Sequence, residues 1–195
     1  MMRESGGHAT RFRVDKWDAG QLEWTARRLD LPPGFEPGPA HLAVVSMAPA
    51  EVFEAEDCNL VLDGGWQMLM NGVAGSAVSK LSTTGPVGRI GGGDTNTAAA
   101  YTQSDLSAAT GGTHRQWEVL SANPAVGSTH TAGLVLAATF PTTDGNFAWA
   151  EFGVDSGTAA GTGASVAPML NRGVASPGTK TSSQAWNVTV TITWT

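Results

Sequence analysis

Along the last ten residues, "WNVTVTITWT" (186–195), Trp186, Val188, Val190, Ile192 and Trp194 alternate with Asn187, Thr189, Thr191, Thr193 and Thr195. A period of two places each set on its own face of a β-strand, one buried and one facing out. The outward face carries hydroxyls and no charge, whereas an edge strand of a soluble monomer usually carries Lys or Glu there to block pairing with other chains. The pattern predicts a strand in the interior of a sheet or at a subunit contact.

Apolar runs predict further strands at 87–92, 115–121, 131–140, 146–156 and 167–174. The segments between them are dense in residues that supply turns. Asp144-Gly145-Asn146 is the strongest hairpin signal, because Asp-Gly accommodates positive φ. A helix is expected within 59–81, where Leu62, Trp66, Leu69, Met70 and Val73 recur near three- and four-residue spacings, although Gly64 and Gly65 weaken it. Trp117, Trp149, Trp186 and Trp194 alternate with small or polar neighbours and are expected in the core. The fold this predicts is mainly β: an antiparallel β-sandwich or jelly-roll-like domain with one short helix.

Charge divides the chain. Residues 1–57 hold 16 charged residues, while the longer stretch 58–195 holds 12. In the first part Trp17, Leu22, Trp24 and Leu29 are too irregularly spaced for a clean amphipathic helix, and "LPPGFEPGP" imposes extended or turn conformations. The expectation is an extended N-terminal arm, 1–57, with short elements that need a partner surface, followed by an antiparallel β-domain, 58–195. Trp17 and Trp24 would be its anchors.

The length suits one well-buried core. A net charge of -6 and a pI near 5.1, with scattered basic residues, argue against a nucleic-acid partner. No apolar run approaches a membrane span, and Arg3 and Glu4 stand where a signal peptide would begin its apolar core, so the chain is expected in the cytoplasm. The single cysteine, Cys58, allows no intrachain disulfide and reads as a small apolar side chain.

Candidate chemistry is sparse. "GRIGGGDTNTAA" resembles a phosphate loop in composition, but no Gly-Lys-Ser/Thr follows and the residues after it do not suggest a helix, so a structural turn is expected. Asp94 and Asp105 flank that loop and are too few for calcium, which takes six to eight oxygens; Asp94 is expected to cap a turn. His8, His41, His114 and His130 show no metal-ligand spacing, and no nucleophile elbow is present. Glu151, in the apolar "FAWAEFGV", is expected to pair with Arg89 or Arg172. No catalytic group, cofactor or metal is assigned. Trp17, Trp24, Phe35, Asp94, Asp105, Thr189, Thr191 and Thr193 remain as candidates for interaction.

Residues 59–195 resemble a family of tailed-bacteriophage virion proteins found as head decoration proteins, head or tail fibres and tail-associated proteins. The likeness lies in "NLVLDGGWQMLMNGV", in "RIGGGDTNTAAAYTQSDL" ending on Ser104, Asp105 and Leu106, in "FAWAEFGV", and in "MLNRGVASPGTKTSSQAWNVTVTITWT" as a closing hairpin. It implies a non-enzymatic virion component assembled in the host cytoplasm, with a capsid decoration or cement role first and a tail-fibre or minor tail role binding a host surface second. The partners implied are the major capsid protein or other virion subunits, with the chain a trimeric or hexameric homo-oligomer. A carbohydrate-binding module is a further alternative, prompted by the seven tryptophans.

Overall fold

The structure, a computed structural model, describes residues 8–56, 59–73, 88–121, 125–126, 132–165 and 168–194. Cys58 and His130 lie outside them. The chain is mainly β: two antiparallel sheets pack face to face around one large apolar core, as a β-sandwich. The first sheet runs β2-β1-β10-β7-β6 and the second β3-β9-β8-β4-β5. Their strands are β1 (His8–Asp18), β2 (Glu51–Glu56), β3 (Asn59–Val61), β4 (Arg89–Gly93), β5 (Arg115–Val119), β6 (Ala125–Val126), β7 (Ala132–Phe140), β8 (Ala148–Asp155), β9 (Met169–Thr179) and β10 (Gln184–Trp194).

The terminal strand β10 is an interior strand, flanked by β1 and β7. Trp186, Val188, Val190 and Ile192 are fully buried, as the alternation requires. Across the sandwich Phe12 of β1 stacks on Phe152 of β8, with ring centroids 3.9 Å apart. Trp149 lies edge-on to Phe140 and 5.5 Å from Trp186. Ring contacts of this kind tie the two sheets with area and geometry together.

The N-terminal segment is extended, and it lies in the first sheet of its own chain. Residues of β1 pair with β10 along its whole length, from His8 opposite Trp194 to Asp18 opposite Gln184. "RFRVD" is itself alternating: Phe12 and Val14 enter the core while Arg11, Arg13 and Asp15 face out. The high charge of this stretch is one face of a strand, so the sheet is built from both sides of the 57/58 boundary. A helix also forms where irregular spacing argued against one. In α1 (Ala19–Arg28) Asp18 accepts from Gln21 N while the Gln21 side chain accepts from Asp18 N, a capping box that offsets the short apolar face. A second short helix, α2 (Pro39–Val44), opens on Pro39, whose fixed φ suits a first helical turn.

Three further expectations change. Residues 59–61 form β3, and the expected helix, α3 (Asp63–Val73), starts only after it; residues 74–81 lie outside those described. A Cβ at Gly65 would stand 2.1 Å from the Leu170 carbonyl oxygen, so the glycine lets α3 lie directly on β9. The Asp144-Gly145 turn has the expected positive φ at Gly145 (72°), yet β7 and β8 belong to different sheets, so the turn is an arch and not a hairpin. Likewise β9 and β10 do not pair with each other: the chain crosses from one sheet to the other between them.

The glycine run is not a turn. Gly91, Gly92 and Gly93 are the last three residues of β4, which lies between β8 and β5. A Cβ would lie 2.5 Å from the Trp117 ring at Gly91 and 2.3 Å from the Trp149 ring at Gly92, on opposite faces of the strand. Absent side chains make room for an indole on each side.

Candidate functional site

Asp18 ends β1 and caps α1, so the strand register fixes where the helix stands. Leu22 of α1 and Leu42 of α2 bury against Trp17 and Ala185, closing one end of the sandwich. Trp17 is therefore spent within its own chain, 7% exposed, and does not anchor a second one. Trp24 and Phe35 differ: they are 49% and 44% exposed on this helical cap. A groove of about 370 Å³ runs beside Phe35, lined by Leu22, Glu23, Ala26, Glu36 and Thr142 among others. Glu36 fastens the α1–α2 connection to the β7–β8 arch, accepting from Thr142 N (2.8 Å) and Thr142 Oγ1 (2.9 Å).

Thr189, Thr191 and Thr193 share the outer face of the first sheet. They stand opposite Arg13, Arg11 and Ala9 on one side and Ala137, Val135 and Gly133 on the other. The face is hydroxylic and small at its centre and charged toward β2, where Arg11 meets Glu56 (2.9 Å) and Arg13 meets Glu54 (2.8 Å). A shallow depression of about 340 Å³ lies over Ala9, Thr10, Arg11, Glu56, Thr191 and Thr193.

Asp94 opens a different structure, the long connection 94–114 that covers the outer face of the second sheet, and Asp105 lies in its middle. Asp94 pairs with His114 Nδ1 at 2.7 Å. Asp105 accepts from Arg115 (2.8 Å), from Leu106 N (2.8 Å) and from Ser165 N (3.0 Å). The two carboxylates are thus separate clasps. Beneath them Glu151 pairs with Arg172 and not with Arg89, which binds Asp155; all four side chains are buried. Glu151 also accepts from Ser107 N (3.0 Å) and Ala108 N (2.6 Å), and Arg172 donates to Thr97 O (2.8 Å) and Gln103 Oε1 (3.1 Å). Glu151 and Arg172 thus both end on the covering connection, a structural use of an ion pair. Among the described residues no group of three or more His, Cys, Asp or Glu side chains is arranged to hold a metal ion.

Sequence reasoning missed one constellation. Lys180, buried at the β9–β10 crossing, donates from Nζ to Pro141 O (2.6 Å) and to Asn146 Oδ1 (3.1 Å). Glu36, Glu118 of β5 and Asp144 of the arch supply negative charge around it. Burial pushes the Glu118 carboxyl up to about 7, and Asp144 acts in the same direction, while Gln116 and Lys180 oppose it. Burial lowers the Lys180 ammonium to about 8 against those three carboxylates. The only signal in the sequence was Lys180 itself, a lone lysine in the polar turn before β10.

No family model, no curated protein and no solved structure matches this chain.

Proposed function

We propose that this chain is a non-enzymatic structural subunit of a tailed-phage virion, a head decoration protein that attaches through its helical cap. The observation that supports this reading is the exposure of Trp24 and Phe35 on that cap, beside a groove, while the rest of the cap is fastened to the sandwich by Trp17, Leu22, Leu42 and Glu36. Exposed aromatics on a rigid support are the usual energetic centres of protein interfaces, because they bring large area at little entropic cost. The resemblance of residues 59–195 to virion proteins supplies the kind of partner, the major capsid protein or another virion subunit. Many weak cap contacts repeated over a shell would add up to a stable coat.

The test is occupancy of particles lacking the protein by the parent and by Trp24→Ala/Phe35→Ala, with circular dichroism as the folding control. The expected result is a folded double variant whose attachment is weaker by about 2 kcal/mol or more, as for hot-spot aromatics. Equal occupancy would remove the cap as the attachment surface. Density for the chain on the tail instead of the head would replace decoration by the tail role.

A further inference from the structure

A lysine amine can acylate itself on a carboxamide if three conditions meet: contact, a free lone pair, and a proton donor for the departing nitrogen. Contact is supplied by the backbone. The strand pairing sets Ala148 opposite Thr179, and Lys180 N donates to Phe147 O at 3.0 Å, so positions 146 and 180 are neighbours before any side chain is considered. The Lys180 Nζ then meets the Asn146 side chain at 3.1 Å, and Asn146 Nδ2 is oriented by donating to Thr142 O at 2.8 Å.

We propose that Lys180 and Asn146 join in an intramolecular isopeptide bond, with the Lys180 Nζ displacing ammonia from the Asn146 carboxamide. The Nζ–Cγ bond forms and the Cγ–Nδ2 bond breaks. Oδ1 stays as the oxygen of the new amide, one Nζ proton leaves with the departing nitrogen, and no oxidant, reductant or cofactor enters the balance.

The surroundings meet the other two conditions. An ordinary lysine is an ammonium without a lone pair near neutral pH, but burial holds Lys180 down to about 8. The carboxyl of Glu118 is raised to about 7, by burial first and by Asp144 in the same direction, and retains a proton in the same range. The charged groups facing Lys180 are Glu36 from the α1–α2 connection, Glu118 from β5 and Asp144 from the arch, and Gln116 donates to Glu118 at 2.7 Å. Of the three carboxyls around Lys180, Glu118 is the one assigned to relay the proton. Held neighbours of this kind react as if at very high concentration, which offsets the sluggishness of an amide as an acyl donor. The bond would fasten the β7–β8 arch to the β9–β10 crossing, and it does not depend on the virion reading.

The test is intact mass spectrometry and peptide mapping of the full chain, freshly purified and after incubation between the two pKa values. The parent is expected to be about 17 Da lighter than its sequence, the mass of the ammonia that amine attack expels, and to yield one branched peptide joining Asn146 to Lys180. Lys180→Arg and Asn146→Ala should keep their full sequence masses, and Glu118→Gln should accumulate the unjoined form for longer. A parent that retains its full mass after incubation would overturn the proposal, and so would ammonia loss without the branched peptide, the sign of a cyclised asparagine. A Glu118→Gln chain that joins as fast as the parent would overturn the proton relay.

Discussion

On the outer face of the second sheet Glu151 and Arg172 are fully buried beneath residues 94–114, whereas on the outer face of the first sheet Arg11 and Glu56 meet in solvent. The two pairs have similar chemistry and opposite surroundings. Under the covering connection each charge has several partners, and losing one partner leaves the other uncompensated where water cannot reach it. On the open face water compensates at once, and the pair competes with its own hydration. One sheet is closed by its charges, and the other wears them beside a strip of threonine, alanine and glycine that stays open for contact.

Breaking the buried side of this comparison gives the largest effect. Arg172→Ala should destabilise the chain by about 3–5 kcal/mol, because Glu151 would lose its guanidinium partner in a dry site. Residues 97 and 103 would lose their guanidinium donors, so the covering connection should also exchange amide hydrogens faster than the sandwich core. Chemical denaturation followed by tryptophan fluorescence measures the first effect and hydrogen exchange the second. A loss under about 1 kcal/mol would mean the pair is hydrated, and the contrast between the faces would fail.

Much of the sandwich was legible in the sequence because a half-buried strand writes its two faces into alternate residues, as β10 does with Trp186, Val188, Val190 and Ile192. β1 carries the same code in "RFRVD", but Arg11, Arg13 and Asp15 made the segment look like a solvated arm. The reason for Gly91 and Gly92 was not local: it lies in Trp117 and Trp149, which come from β5 and β8. The same holds for the group around Lys180, whose members are drawn from four separate connections and strands and share no spacing. Trp24 and Phe35 stand exposed on the cap, while Trp17 needed Leu22, Leu42 and Ala185 to show that it was core.

The half-buried Glu118 lies between the two extremes and can be read by pH. Its carboxyl is raised to about 7 by burial and by Asp144, above the usual 4.5. In that window the folded chain holds more protons than the unfolded chain, so stability should fall as pH rises from 4.5 toward 7. Glu118→Gln, which stays neutral, should flatten this part of the profile of melting temperature against pH. The comparison is made within the Asn146→Ala background, so that joining to Lys180 does not differ between the two chains. An unchanged slope in the Gln chain would assign the fall to other carboxylates.

The smallest effect belongs to the open face. Arg11 and Glu56 are 53% and 67% exposed at the side chain and meet at 2.9 Å. Holding two long side chains together costs rotamer freedom that nearly matches the screened attraction, and such pairs contribute about 0.2–1 kcal/mol in double-mutant cycles. Glu54 lies 3.8 Å from the same guanidinium, so part of the attraction survives when Glu56 is removed. The cycle Arg11→Ala, Glu56→Ala and the double variant should therefore show a coupling of about 0.5 kcal/mol or less, falling further as salt is added. A coupling as large as that of the buried pair would mean that this face is dry in the isolated chain. Water would then not be what separates the two sheets' outer charges, and the threonine strip would be covered instead of open.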